Sequence, residues 1–329
     1  MSLLEKRLEN DLTEIRNRLA DQAGTVEVAV NNALQALQTG NKTLAYQTVL
    51  NDYPINRNMR RIDRLCHRFI AVHLPSGAHL RLLSAAIRVN IELERIGDYA
   101  VTISREAAQL SSPPTHALGR ELDRFASETM LMLRQAIKSF NELNEELARS
   151  TKLMSGSMEY NLDTIYNEIA ESSQVKDIKD TIALFVIFTQ LKRVADQAKN
   201  LCEDAMFAAS GSEKPPKEHN ILFVDQDNAL GSQLAEAIAA NNHPDGGHYR
   251  SAGAAAADSL NPDLVSFMKE RGVNMDNSTP TAFSDLTPHE IADQHVIVDL
   301  AGVLGSLLPE IPFHTSVLEW DIAAEGGQG

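Results

Sequence analysis

The chain has 329 residues, of which 43% are hydrophobic and 23% charged, a composition typical of a folded protein with two or three domains. No stretch approaches 18 consecutive apolar residues, and the first residues lack an apolar core, so we expect neither a transmembrane helix nor a secretory signal. The two cysteines, Cys66 and Cys202, lie in helical patterns and favour a reducing cytoplasm over a disulfide framework.

The net charge of −15 is concentrated in the last third of the chain. Residues 220–329 contain 3 Lys and Arg against 16 Asp and Glu, whereas residues 1–219 are close to neutral. An acidic region of this kind repels nucleic acid and free phosphate at long range, so we expect no nucleic-acid partner. The change in charge also supports a domain boundary near residue 215.

Helical periodicity runs through the first 210 residues, where apolar side chains recur at three- and four-residue steps. The predicted helices cover residues 3–39, 43–73 with a break near Pro54, a third segment that ends before Ser111, and then 117–150, 157–172 and 175–209. Short loops make successive helices antiparallel neighbours. The sequence therefore predicts two tandem three-helix bundles, in residues 1–112 and 113–210.

After an exposed linker at 211–219, strands and helices alternate. The predicted strands are 221–224, 248–251, 295–298 and 316–320, and the predicted helices are 232–241, 262–272 and a short one closing at Ile291. This alternation indicates a small parallel sheet in residues 220–329. The predicted fold class is thus multidomain, with all-α tandem bundles followed by an α/β domain.

Two segments of the helical half share one pattern at an offset of 98 residues. Residues 93–106 read LERIGDYAVTISRE, and residues 191–204 read LKRVADQAKNLCED. An internal repeat of this kind indicates a duplicated unit. In the first copy Glu94 and Asp98 share one helix face, where like charges four residues apart repel by about 0.2–0.5 kcal/mol. A cation bound between them would remove that penalty.

The two-bundle plan, with Leu-Glu-Arg-Ile-Gly-Asp on its third helix, resembles the PhoU family over about residues 1–210. PhoU-like proteins are cytoplasmic regulators of phosphate uptake. They act with the phosphate ABC transporter and, in many bacteria, with a membrane sensor histidine kinase. The resemblance implies the same location and protein partners here, with no membrane insertion and with peripheral membrane association through those partners. The long amphipathic helix faces also allow a homodimer.

The resemblance further implies metal sites, because the family's repeats carry E/DxxxD motifs that hold metal clusters in some members. In the first copy Glu94 and Asp98 supply the motif carboxylates, and Asp63 on the preceding helix is the expected third ligand. An oxygen-rich site of this kind suits iron, zinc or another divalent metal. The alternative interpretation of Glu94 and Asp98 is a solvated helix face.

The second copy departs from the motif, because Lys192 stands where the family has an acid. The remaining candidate ligands are Asp196, with Asp163 and Glu203 as further acids. The ammonium group of Lys192 competes with metal, or replaces it as the charge partner of Asp196. We therefore expect metal at the first site more than at the second.

The last third resembles a different family. Residues 221–237 are similar to the opening strand, loop and helix of low-molecular-weight protein tyrosine phosphatases and arsenate reductases, and the likeness covers about 220–322. That family needs a nucleophilic Cys at the start of the loop and an Arg at its end. Asp225 and Gly231 occupy these positions, and no cysteine follows Cys202. We expect a non-catalytic, pseudophosphatase-like interaction or dimerisation module.

Two other functions stay open. An enzyme could use Asp225 as an altered nucleophile in a phosphatase or arsenate reductase, although it would lack the loop arginine. A metal-storing or metal-sensing helical protein could use the carboxylates of the first repeat. Cys66, His67 and His73 lie near those carboxylates, but their spacing matches no zinc signature, and we interpret Cys66 as a buried packing residue.

Overall fold

A computed structural model divides the chain into two compact units, the helical unit (Met1–Lys214) and the α/β unit (Pro215–Gly329). The structure describes residues 3–171, 177–214, 218–312 and 315–320; inside one helix the side chains of 156–164, 167, 168, 170 and 171 are not described. The fold class predicted from the sequence, helical repeats followed by a small α/β domain, is confirmed.

In its described residues the helical unit is built from long α-helices. None of the described helices combines the length and apolarity that crossing a lipid bilayer requires. In chain order the helices are α1 (Leu3–Thr39), α2 (Lys42–Leu50), α3 (Asp52–His73), α4 (Gly77–Gln109), α5 (His116–Glu142), α6 (Glu145–Glu171) and α7 (Ile178–Ser210).

Predicted helix boundaries near Pro54 and between residues 142 and 157 differ from the structure, in which α6 begins at Glu145 rather than at 157. The break expected near Pro54 lies at Asn51, because a proline is tolerated in the first turn of a helix, and Pro54 sits in that turn of α3. The predicted helix 117–150 is wrong: α5 ends at Glu142, and Leu143 adopts a left-handed conformation with φ of 52°. The Asn144 side chain then accepts a hydrogen bond from the Leu147 N–H at 3.0 Å and starts α6, a capping signal that outweighs the continuous apolar pattern.

The two repeats share one hydrophobic core, in which α4 packs against α7. The helices run antiparallel, as the Arg88–Asp204 pair and the contact of Tyr99 with Gln197 show. Gln197 donates to the Tyr99 hydroxyl at 3.5 Å, and these two residues occupy equivalent positions in the duplicated sequence. Contact between equivalent positions is the mark of a two-fold axis, so the repeats pack as an internal pseudo-dimer.

The described residues of the α/β unit form one parallel four-stranded sheet in the order β2-β1-β3-β4. Side chains of β1 alternate between two apolar clusters, with Leu222 and Val224 in one and Phe223 in the other, so this central strand is buried on both faces. The elements are β1 (His219–Asp225), α8 (Gly231–Asn242), β2 (Gly247–Gly253), α9 (Pro262–Glu270), a 3-10 helix (Phe283–Asp285), α10 (Pro288–Ala292), β3 (Val296–Asp299), α11 (Leu304–Leu307) and β4 (Ser316–Glu319).

Candidate functional site

The motif carboxylates of the first repeat lie one turn apart on α4, with Glu94 half-buried and Asp98 exposed. Burial is the largest cause that raises the pKa of Glu94, and the negative charges of Asp98 and Asp52 raise it further. Burial and the charge of Asp52 likewise raise the pKa of Asp98. These carboxylates therefore repel one another, and a cation placed among them would be attracted.

The third carboxylate of this group, which sequence reasoning missed, is Asp52 in the first turn of α3. Its Oδ2 accepts a hydrogen bond from Asn56 at 2.8 Å, whereas its Oδ1 is buried without a hydrogen-bond partner in the structure. Gly97 allows this approach: a Cβ there would lie 3.2 Å from Ile55 and 3.8 Å from the Asp52 Oδ1. Asp52 thus presents an unsatisfied carboxylate oxygen toward the motif helix.

The structure places Asp63, the expected third ligand, elsewhere on α3. In an antiparallel helical hairpin, residues equally distant from the turn face each other, and the α3–α4 turn lies at residues 74–76. Asp52 therefore faces the motif, whereas Asp63 lies 11 residues, or about 16 Å, further along the helix. Its Oδ1 is 3.4 Å from the Nδ1 of His67. Counting from the turn would have identified Asp52.

Cys66 lies in an environment that disfavours the thiolate form of its side chain. Its side chain is fully buried, and burial together with the charge of Asp63 raises the pKa of the thiol to about 12. A thiol with this pKa is neutral at physiological pH. The interpretation of Cys66 as a packing residue agrees with this environment.

The acids of the second repeat have lysine partners. The Nζ of Lys192 lies 3.0 Å from Asp196, on the same helix face. Glu203 is held by Lys152 at 2.9 Å and Lys214 at 2.7 Å, and these two ammonium groups lower its pKa despite the opposing effect of burial. The side chain of Asp163 lies outside the described residues. Positive charge from the chain itself therefore occupies the places where a cation would bind.

Among the residues that the structure describes, no three or more His, Cys, Asp or Glu side chains are already arranged as a metal shell. The first repeat nevertheless has donors of a suitable kind, since Glu94, Asp98 and Asp52 are oxygen ligands and one Asp52 oxygen is unsatisfied. The second repeat does not fit a metal equally well, because Lys192 already neutralises Asp196.

A second charged cluster, not predicted from the sequence, lies where α4 crosses α7. Asp204 is 8% exposed and pairs with the guanidinium group of Arg88. Burial raises the pKa of Asp204 to about 6; Arg88 opposes the shift, and the charges of Glu92 and Glu203 add to it. Burial also raises the pKa of Glu92. The cluster joins the two motif helices through charges that are costly to bury.

In the α/β unit, the loop after β1 is closed by the carboxylate of Asp225, which is 7% exposed. Its Oδ1 accepts the N–H of Asn228 at 2.7 Å, and its Oδ2 accepts the N–H of Ser232 at 2.8 Å. Backbone N–H groups at the start of a helix are the donors that bind an anion in oxyanion-binding loops. Here the chain's own carboxylate accepts them.

The loop geometry is held by Asn228 and Gly253. Asn228 is fully buried with φ of 53°, and its side-chain oxygen accepts the Thr281 N–H at 2.7 Å. Gly253 passes so close that a Cβ would lie 2.6 Å from the Asn228 nitrogen, which only glycine avoids. The loop is therefore rigidly defined by contacts with the neighbouring strand and the segment before the 3-10 helix.

Asp299 at the end of β3 repeats this arrangement, which sequence reasoning missed. Its Oδ2 accepts the Leu304 N–H at 2.8 Å, and its Oδ1 accepts the N–H groups of Ala301 and Val303, both at 3.1 Å. Asp225 and Asp299 thus close the loops after two adjacent strands. An Asp directly after an apolar strand was the sequence signal common to both.

Comparison with known proteins identifies the helical unit. The PhoU domain matches residues 19–107 and 122–205, one match for each repeat and together more than half of the chain. The chain belongs to the PhoU family. The two matches correspond to the two halves of the internal pseudo-dimer, so the duplication inferred from the sequence is the repeat of the PhoU domain.

Similar proteins cover the same part of the chain. The phosphate-specific transport system accessory protein PhoU homolog of Pseudomonas putida is 28% identical over 213 residues, which are 64% of this chain and 83% of that protein. The crystal structure of PhoU from Pseudomonas aeruginosa has a TM-score of 0.59 at 28% identity and covers 62% of this chain and 99% of that one. PhoU of Streptococcus pneumoniae, 22% identical with a TM-score of 0.58, covers 63% and 99% and shows the shared fold.

A thioredoxin-dependent arsenate reductase of Corynebacterium glutamicum is similar only at a TM-score of 0.30, covering 51% of this chain. A similarity at that TM-score supports no conclusion about the α/β unit. The phosphatase or arsenate reductase resemblance of the α/β unit therefore continues to depend on its sequence.

Proposed function

We propose that this protein is a non-enzymatic, cytoplasmic regulator of phosphate uptake and phosphate-responsive signalling. The observation that carries the proposal is the pair of PhoU domain matches on α1–α7, supported by relatives named as phosphate-specific transport system accessory proteins. The helical unit would dock on the phosphate ABC transporter or a membrane sensor kinase. The α/β unit would add an acidic interaction surface.

The absence of catalysis is part of the proposal. It is supported by the replacement of the loop Cys and Arg by Asp225 and Gly231, and by the hydrogen bonds of the Asp225 carboxylate to the loop N–H groups. An anion that entered the loop would have to displace a buried carboxylate of the same charge. The loop is then a structural element that the surrounding unit needs for its shape.

A cation at the first repeat is the second part of the proposal. Glu94, Asp98 and Asp52 would hold iron, zinc or another divalent metal, and the ion would supply positive charge that removes the repulsion among them. Its support is the raised pKa of Glu94 and Asp98 and the unsatisfied Asp52 oxygen. The proposed cation site does not include Asp63.

Elemental analysis of purified protein tests the cation. We expect close to one metal ion per chain in the wild type, and loss of at least nine-tenths of it in Glu94→Ala/Asp98→Ala and in Asp52→Ala, because each change removes oxygen ligands. Asp63→Ala should keep the metal. Glu5→Ala/Glu9→Ala, which removes two acids at the same helical spacing on α1, is the matched control.

Metal that survives in both Asp52→Ala and the double variant would refute the cation site. Loss of metal in Asp63→Ala but not in Asp52→Ala would restore the ligand set expected from the sequence.

The regulatory function is tested in cells. Deletion of the gene should derepress phosphate-responsive transcription or alter the rate of phosphate uptake in phosphate-replete medium, because the transporter or kinase has lost its regulator. The wild-type gene should restore both. Unchanged uptake and unchanged transcription after deletion would refute the proposal. If metal were still bound in that case, a metal-storing or metal-sensing function would replace it.

A further inference from the structure

The outer face of α3 carries a row of four exposed arginines, Arg57, Arg61, Arg64 and Arg68. At 100° per residue they lie within an arc of about 60°, and at 1.5 Å per residue they extend over about 16 Å. We call this row the arginine face. Apart from its histidines, the basic residues of α3 are these four arginines and Arg60, and the helix contains no lysine.

The arginine face is poorly neutralised by the protein. Among the described residues, the one carboxylate within ion-pair distance of the four side chains is Asp11, 3.6 Å from Arg68. Elsewhere in the helical unit Arg18 and Arg124 lie within ion-pair distance of glutamates on their own helices. Like charges at three- and four-residue spacing destabilise a helix by a few tenths of a kcal/mol per pair. The face therefore holds uncompensated positive charge in a chain of net charge −15.

The side chains border a shallow groove of about 640 Å³ along α3, lined by Arg57, Asn58, Arg61, Arg64, Leu65 and Arg68. The planar guanidinium group donates several N–H bonds in a fixed fork and binds phosphate oxygens in pairs. Successive phosphate groups presented in one plane would therefore find a donor at each turn of the helix.

Exposed apolar side chains stand at both ends of the arginine face. Leu50 is 76% exposed and Tyr53 71% exposed at its start, and Val72 is 48% and Leu74 81% exposed at its end. The Arg57 guanidinium lies 5.9 Å from the centre of the Tyr53 ring. Tyrosine and arginine beside exposed aliphatic residues are the side chains that partition into the headgroup region of a bilayer.

We infer that the arginine face docks directly on an anionic phospholipid surface, independently of any protein partner. Lipid phosphates lie in the groove between the guanidinium groups, while Tyr53 and the aliphatic residues at the ends of α3 enter the headgroup layer. The negative charge of such a bilayer complements the positive charge of the arginine face. A protein partner that buried these arginines would need a matched carboxylate for each one. Leu65 is the one apolar residue of the groove lining. Protein–protein interfaces usually have an apolar, desolvated centre, and this groove lacks one.

Co-sedimentation of the full-length protein with vesicles tests the inference. We expect binding to phosphatidylcholine vesicles that contain one-third phosphatidylglycerol, and no binding to pure phosphatidylcholine. Raising the salt concentration should release the protein, since screening weakens the attraction. Arg61→Gln/Arg64→Gln should weaken binding by about 30-fold, or about fivefold for each arginine.

The matched control is Arg124→Gln/Arg149→Gln, which removes the same charge from two arginines that are paired with glutamates. This control should bind like the wild type. Leu50→Ser/Tyr53→Ser should weaken binding while leaving its salt dependence unchanged, because it removes apolar contacts and no charge. Circular dichroism verifies that every variant keeps its helix content.

Several results with the vesicles and variants would overturn the inference. They are a wild-type protein that ignores the anionic vesicles, equal binding to neutral and anionic vesicles, an equal loss in the control variant, and full binding by Arg61→Gln/Arg64→Gln. Inorganic phosphate should release no more protein than sodium chloride of the same ionic strength. Specific release by phosphate would assign the groove to the free anion instead of to lipid.

Discussion

Replacement of Asp225 by alanine should lower the free energy of unfolding of the α/β unit by about 2–6 kcal/mol. The change leaves the buried N–H groups of Asn228 and Ser232 without acceptors, and each unsatisfied group costs about 1–3 kcal/mol. Denaturation of the full chain measures this cost by fluorescence, because Trp320 is the sole tryptophan and belongs to the α/β unit.

The control is Asp227→Ala, which removes an exposed carboxylate that accepts one N–H, from Ala229 at 3.0 Å. Its cost should be below about 1 kcal/mol, because water can satisfy the exposed group. Added phosphate should stabilise Asp225→Ala and not the wild type, since removal of the carboxylate exposes N–H donors that an anion can bind. Equal stability of Asp225→Ala and Asp227→Ala would contradict the structural role of Asp225.

The second large effect is a pH dependence that Asp204 gives to the helical unit. The pKa of this carboxyl is about 6 in the folded chain against an ordinary value of 3.8, so the folded state holds its proton more tightly than the unfolded state. The free energy of unfolding should therefore fall as the pH rises from about 4 to about 6. The difference between the two pKa values corresponds to about 3 kcal/mol.

Asp204→Asn, which cannot ionise, should remove this part of the pH profile. The matched control is Asp196→Asn, which removes a more exposed carboxylate, paired with Lys192, from the same helix. Urea denaturation followed by far-ultraviolet circular dichroism between pH 4 and pH 7 gives the comparison. Parallel profiles for the wild type and Asp204→Asn would show that the carboxyl does not titrate as its burial requires.

Features that depend on neighbouring residues along the chain could be predicted from the sequence. The apolar periodicity predicted α1 and the strand–helix alternation of the α/β unit, and the repeat at an offset of 98 residues predicted the duplicated PhoU domain. The end of α5 was missed because periodicity continues across Leu143, whereas the capping side chain of Asn144 determines where the helix stops.

Features that depend on distant contacts could not be read from periodicity. Asp52 and Asp63 lie on the same helix, and the position of the α3–α4 turn decides which of them faces Glu94. The pKa of Asp204 depends on its burial between α4 and α7 and on its pairing with Arg88. Asp204 and Arg88 are 116 positions apart in the sequence. Both cases require the antiparallel packing of the helices before the chemistry can be assigned.

The ion pair of Lys192 with Asp196 makes the two halves of the pseudo-dimer unequal. The Lys192 ammonium group is attached to the same helix as Asp196, so its effective concentration is fixed and neither dilution nor chelation can remove it. If the cation proposed at Glu94, Asp98 and Asp52 binds, titration with a divalent cation should saturate at a single equivalent per chain, and only the half that contains Glu94 should respond to the supply of the ion.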